Sequence, residues 1–424
     1  MKNLNIPVGI SDFEKIRREG FYYIDKTGLV KELLNPKPAE VTLITRPRRF
    51  GKTLAMSMLE NFFDIKKNSR DLFAGLEISA SEELCSRWMN QCPTVSLSFR
   101  QVDGLDFSSA YDMLTMVISN LFNRHRYLLE SQEISEFQKT AFVQIASQKA
   151  TAGEIKNSLI LLTDMMQTYY GKKVLLLVDE YDVPVAKANN NGYYEEMLDV
   201  MKGLMQALKD NRALGFAVVT GCMKIAKESI FTGTNNFVSD TIADSRLNEY
   251  FGFVQREVDQ ILADGEITDK RELIKQWYDG YHFGDWDVYC PWDVMNYVLE
   301  LQHNPQAKPA GYWKNTSDNA IIRSFIDYAG GSITRKLEIL MEGGYIIQQI
   351  DKNLTYDYLH SSEDNLWSVL YLTGYLTQVR SETLNRELPA GSAALQIPNA
   401  EIREIFETTV IRWFDDSATV SYTH

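Results

Sequence analysis

Short apolar runs alternate with longer helical patterns through the first half of the chain. The run VTLIT (41–45) is followed by Leu54, Met58, Leu59, Phe62 and Phe63 at helical spacing. TVSLSF (94–99) reads as a second strand, with helical patterns across 107–127, 134–149 and 153–170 behind it. KVLLLVDEYD (173–182) is a third strand, almost wholly apolar and ending in acids, and a helix near 193–210 leads to a fourth, LGFAVVTG (214–221). Strands this apolar need cover on both faces. Their alternation with helices therefore predicts an α/β fold, a parallel sheet flanked by helices.

The texture changes near residue 250. FGFVQREVDQILADG (251–265) and DKRELIKQWYDGYHFG (269–284) read as helical, and PWDVMNYVLEL (291–301) opens a helix with Pro291 in its first turn. NLWSVLYLTGYLTQVR (365–380) and AALQIPNAEIREIFETTVIRWF (393–414) frame a polar turn, giving helix, strand, turn, strand, helix. That order suits a winged-helix-like module in a mainly helical region. The expected division is 1–250 for the α/β domain and 251–424 for the C-terminal region.

Composition narrows the class. The 424 residues are 45% hydrophobic and 24% charged, values of a globular chain with substantial cores. A formal charge of −13 argues against a surface broadly built for nucleic acid, though a local basic groove is compatible with it. The four cysteines are scattered and the five histidines lack metal-ligand spacing, so reduced thiols and no zinc site are expected. The N-terminus lacks a signal-peptide core, and no apolar run approaches the roughly 20 residues of a membrane span, so a cytoplasmic, non-membrane protein is expected.

The candidate chemistry begins at LITRPRRFGKT (43–53). Gly51-Lys52-Thr53 completes a G-x-x-x-x-G-K-[ST] pattern in which Arg46 replaces the first glycine. An apolar strand enters, Gly51 permits close approach, and a helix begins. Backbone N–H groups at such a helix N-terminus cradle phosphates, the lysine reaches the terminal ones, and Thr53 supplies a magnesium ligand. The P-loop NTPase reading makes Arg48, Arg49, Phe50, Gly51, Lys52 and Thr53 the ATP-binding loop, with Lys52 an exposed side chain. LLLVDEYD adds Asp179, an acid at a strand end suited to holding Mg²⁺, and Glu180 beside it, suited to polarising a water. Asp182 is expected to serve a turn or cap. Thr220, ending the next strand, stands where a γ-phosphate sensor belongs; Lys224 beyond it reads as solvated.

Taken together, several segments resemble the bacterial AAA-ATPase-like family. They are IPVGISDFEKIRREGFYYIDKTGLVKELL, RPRRFGKTLAMSMLENFF, LLLVDEYDVPV, VVTGCMKIAKESIFTGTNNF, FGFVQREV, WYDGYHFG, YWKNTSDN and LWSVLYLTGYL, running from residue 6 to roughly 400. The resemblance implies that Arg46 belongs to a family variant of the phosphate cradle. It carries nucleotide and magnesium roles to Lys52 and Thr53, and the acidic pair to Asp179 and Glu180. It flags Asp25-Lys26-Thr27, Tyr281, His282 and Asn315 without defining their roles; His282 between aromatics reads as a packed, hydrogen-bonded histidine. Members often continue into a PD-(D/E)XK nuclease-like domain. Here the chain stops at His424, before that domain would be expected. The acid-x-Lys triplets Asp64-Ile65-Lys66 and Glu154-Ile155-Lys156 read as solvated helix faces, so no nucleic-acid cleavage is expected.

Three functions fit these residues. The leading one is an Mg²⁺-dependent ATP hydrolase that couples turnover to its C-terminal region or a protein partner. A nucleotide-gated interaction module with little turnover is the alternative, and a nucleic-acid-binding adaptor the third.

Overall fold

In the computed structural model, residues 2–209, 211–224, 237–313, 331–354, 363–384 and 387–410 are described. Five strands, β1 (Val41–Thr45), β2 (Thr94–Ser98), β3 (Val174–Asp179), β4 (Leu214–Gly221) and β5 (Phe237–Asp240), form one sheet in the order β2-β3-β4-β1-β5. Every pairing in it is parallel. The four strands expected from sequence are present. The fifth, FVSD, is short and half polar, and Asn- and Gly-rich sequence precedes it, so periodicity gives no signal there.

Register sets the geometry of the site. Thr45 of β1 pairs with Gly221 of β4, and Val178 of β3 pairs with Val219. The loops leaving β1, β3 and β4 therefore emerge along one sheet edge, with β4 between the other two strands. Helix Lys52–Phe63 follows the first loop and buries Met58, Leu59, Phe62 and Phe63. Burying each of these side chains is worth about 1.5–3 kcal/mol, which anchors the far end of the helix while its N-terminus faces the sheet edge.

Beyond the sheet, helix Gln255–Asp264 and helix Arg271–Tyr278 match the helical pattern. The predicted helix over 269–284 stops early, however. Asp279 and Gly280 break it, and a hairpin of β6 (Tyr281–Phe283) and β7 (Trp286–Val288) follows. Alternating Tyr281 and Phe283 both turn inward and are buried, a period of two that the short run concealed. Helix Pro291–His303 comes next. A second, antiparallel sheet joins β8 (Ile346–Gln349), β9 (Thr377–Gln378) and β10 (Ser392–Gln396) in the order β8-β10-β9. Helices Glu363–Leu372 and Ala400–Ile405 flank β9 and β10, in the helix, strand, strand, helix order read from the sequence.

Two apolar cores result. The larger follows the parallel sheet and extends into Trp313, Trp367 and Phe406. The smaller joins N-terminal Ile6 and Ile24 to Val258, Ile274, Val294 and other residues of the 253–301 segment.

Candidate functional site

The loop between β1 and helix Lys52–Phe63 is shaped by alternating backbone handedness. Arg49 has φ 72° and Gly51 has φ 85°, with Phe50 between them outside the left-handed region. Such alternation turns successive N–H groups toward a shared concavity, the geometry that receives an anion. At Gly51 the requirement is backbone conformation alone, since an added Cβ would meet nothing within 4 Å.

Lys52 differs from its expected exposure. It is 4% exposed, and its ammonium donates to the carbonyls of Arg46 and Pro47, each at 2.9 Å, with the Cys222 sulfur at 3.6 Å. Burial opposes the charge, but Cys222 and the acids Glu180, Asp182 and Asp179 outweigh it and raise the lysine pKa. Lys52 is thus a cation inside an acid-lined recess, bracing the loop from within.

Three expected site residues meet at one carboxylate. Thr53 Oγ1 donates to Asp179 Oδ2 at 2.9 Å, and Thr220 Oγ1 donates to Asp179 Oδ1 at 2.6 Å. Burial pushes the Asp179 pKa up, while these hydroxyls and Lys52 pull it back. Glu180 follows at φ 54°, a conformation uncommon for a side chain without hydrogen-bonding advantage in the turn, and its charge is felt by Lys52, Asp179 and Asp182. Asp182 accepts from the N–H groups of Cys222 and Met223 at 2.9 and 3.0 Å, joining the turn after β3 to the turn after β4. That is the turn role its sequence position suggests.

The arginines of the loop face elsewhere. Arg46 is fully buried, donating to the carbonyls of Thr45 and Asp240 at 2.9 Å and to the Asp240 carboxylate at 2.6 Å. It clamps β1 to β5. Arg49 donates to the Tyr312 carbonyl at 2.7 Å and lies 4.7 Å over the Trp292 ring. Phe50 is buried, its ring 5.0 Å from Tyr281 and 5.1 Å from Phe283. The side chains of Arg49 and Phe50 are therefore engaged with the C-terminal half, leaving their backbone to the cradle. Arg48 lies half-buried, its charge felt by Cys222.

The remaining flagged residues have structural partners. Asp25 accepts from the N–H and hydroxyl of Thr27 and from the N–H of Glu77, while Lys26 donates to Glu257 at 2.6 Å and to the Glu249 carbonyl. The triplet thus bolts the N-terminal segment to residues 77–80 and to helix Gln255–Asp264. His282 pairs with Asp287 at 3.0 Å across its hairpin, and burial lowers its pKa. Lys224, expected to be solvated, is half-buried and donates to Asn353. Asp64 is not on a solvated helix face either: it is buried at the helix end, where it accepts from the Lys66 N–H. Glu154 is half-buried and completes a capping box with Thr151. Asn315 and residues 225–236 lie outside the described residues.

Oxygen donors dominate the site, and they fit a small hard cation held largely by phosphates and water, with one hydroxyl and one carboxylate from the protein. Among the described residues, no group of three or more His, Cys, Asp or Glu side chains could hold a metal ion alone. No helix among them is long and apolar enough to cross a membrane.

A parallel five-stranded sheet flanked by helices, with a glycine-lysine-threonine loop leaving β1 and an acid ending β3, defines an α/β protein of P-loop type. Residues 7–231 match the family described as "Predicted AAA-ATPase", and the chain belongs to that family. Membership carries ATP binding and an ATPase function at the family level. A protein from Azotobacter chroococcum mcd 1, described as "Uncharacterized protein in vnfD 5'region", is 26% identical over 428 residues, spanning 99% of this chain and 72% of its own length.

Proposed function

We propose that the chain hydrolyses ATP with Mg²⁺ and couples this to rearrangement of its C-terminal region, 251–424, or of a protein bound there. The observation that carries the reading is the junction of Thr53, Asp179 and Thr220 around one carboxylate, with Lys52 buried beside it. Phosphoryl transfer to water is mainly positioning and electrostatic stabilisation, so a fixed cation and a set of preorganised donors are the needed parts.

In this reading the N–H groups of residues 49–53 and the Lys52 ammonium receive the β- and γ-phosphates. Thr53 and Asp179 would hold Mg²⁺, which when bound neutralises phosphate charge. Glu180 orients a water and accepts its proton, and Thr220 senses the γ-phosphate through the Asp179 carboxylate it already touches. The acids around Lys52 are matched to a cation, so phosphate binding redirects the lysine away from the Arg46 and Pro47 carbonyls toward the nucleotide.

The test is calorimetric titration of the chain with Mg-ATP, together with its steady-state phosphate release. Binding with turnover supports hydrolysis. Binding with no turnover would favour a nucleotide-gated interaction module, and absence of binding would remove both.

A further inference from the structure

Helix Pro291–His303 and helix Ala400–Ile405 bring Asp293 and Glu401 together behind the phosphate loop, both fully buried. The two carboxyls face each other within hydrogen-bond reach, and the Cys290 thiol lies against Asp293. Neither acid forms an ion pair among the described residues, and Asp293 Oδ1 and Oδ2 and Glu401 Oε2 meet no N–H or O–H donor there. Two facing acids in such a place hold together by sharing a proton, because two bare carboxylates would repel in a medium that screens them poorly.

The fourth oxygen is committed. Glu401 Oε1 accepts the Trp313 N–H at 2.7 Å. One residue earlier, the Tyr312 carbonyl receives the guanidinium of loop residue Arg49. The Trp313 indole sits against Gly374, and so does Pro47 of the loop: a Cβ on Gly374 would lie 3.1 Å from Pro47 and 3.3 Å from Trp313. An unbroken set of contacts thus runs from the acid pair through the Tyr312–Trp313 turn to Arg49, with Pro47 packed on the same support.

We propose that the Glu401–Asp293 carboxyl pair is a positioning element for the phosphate loop, fixing the Tyr312–Trp313 turn so that it grips Arg49 and Pro47 and holds the loop in its anion-binding shape. This rests on the nucleotide reading above. It assigns the late helix Ala400–Ile405, remote in sequence from the loop, a direct part in nucleotide affinity. Glu401 acts through Arg49 and touches no phosphate.

The experiment is a double-mutant cycle read by Mg-ATP affinity, with near-UV circular dichroism to check the fold. Losing the acceptor for the buried Trp313 N–H frees the turn that holds Arg49, so Glu401→Ala is expected to weaken binding about tenfold. Glu401→Gln keeps the acceptor and offers an amide donor to Asp293, and is expected to bind within about twofold of the parent. Arg49→Ala is expected to lose affinity like Glu401→Ala, with the second change adding less than about twofold to the first. Glu401→Leu, which fills the space without an acceptor, replaces the alanine variant if that one fails to fold. Parental affinity in a folded Glu401→Ala or Glu401→Leu, or losses that multiply fully with Arg49→Ala, would overturn the proposal alone. No Mg-ATP binding by the unaltered chain would overturn the nucleotide reading and this proposal with it.

Discussion

Arg46 and Asp240 form a fully buried ion pair at 2.6 Å, tying the end of β1 to the end of β5. Burial dominates both partners, lowering the arginine pKa and raising that of the aspartate. The pair therefore contributes registry between strands more than net stability. It also explains why this loop tolerates the loss of its first glycine: the side chain leaves the cradle for the space between β1 and β5, under the Phe251 ring.

Arg46→Gly, which restores the common loop pattern, is accordingly expected to weaken the protein. Removing one partner of a buried pair costs about 3–5 kcal/mol, and Arg246, 3.3 Å from Asp240, softens this toward about 3 kcal/mol. Urea unfolding measures it. A glycine variant as stable as the parent would show that Arg46 is dispensable to the β1–β5 junction.

Much of this was legible in the sequence, and what was not has identifiable causes. The strands β1 to β4 and the loop residues Gly51, Lys52 and Thr53 announce themselves, because apolar runs and a phosphate-loop pattern are local signals. Arg46 reads only as a replaced glycine and Arg49 as a phosphate ligand, because charge and pattern are visible in a sequence while side-chain direction is not. Their partners, Asp240 and the Tyr312 carbonyl, lie 194 and 263 residues further along the chain. Tyr281 and Phe283 were absorbed into a helical pattern since three residues cannot display a period. Asp293 and Glu401 gave no signal, because each shares an ordinary amphipathic helix with a second acid, Glu300 or Glu404, and nothing local marks which of the two turns inward.

Lys52→Ala is expected to abolish measurable Mg-ATP binding, a loss of at least about a hundredfold given that charge-assisted phosphate contacts are worth 1.5–3 kcal/mol each. Its burial adds a second consequence. Two loop carbonyls lose their donor and the surrounding acids lose their counter-ion, so stability is expected to fall by about 1–3 kcal/mol. Calorimetry and urea unfolding on the same preparation separate the two effects. Unchanged ATP affinity in the variant would remove Lys52 from the cradle.

Glu180→Gln keeps size and hydrogen bonding while removing the charge to which the proposed mechanism assigns the proton of the attacking water. Retained Mg-ATP affinity with turnover reduced on the order of a hundredfold or more is expected, the usual range for a general base. Equal hydrolysis rates for variant and parent would move that role to another residue.

Asp182 makes stability depend on pH in a defined direction. Burial, ahead of the neighbouring Glu180 charge, pushes its pKa from 3.8 up to about 6. With the folded value above the unfolded one, the native state holds the proton more tightly. The associated stability is complete below the unfolded value and is lost as the pH rises through the folded one, from about 4 to about 6. Asp182→Asn keeps an acceptor for the Cys222 and Met223 N–H groups and cannot titrate. Relative to the parent, the asparagine protein should gain on the order of 2 kcal/mol between pH 4 and pH 7, since each pKa unit corresponds to about 1.4 kcal/mol. Urea unfolding of both proteins across that interval gives the difference directly, and common titrations elsewhere cancel. A difference that stays flat with pH would mean that Asp182 is already ionised at pH 4 and that Lys52 and the two N–H donors outweigh its burial.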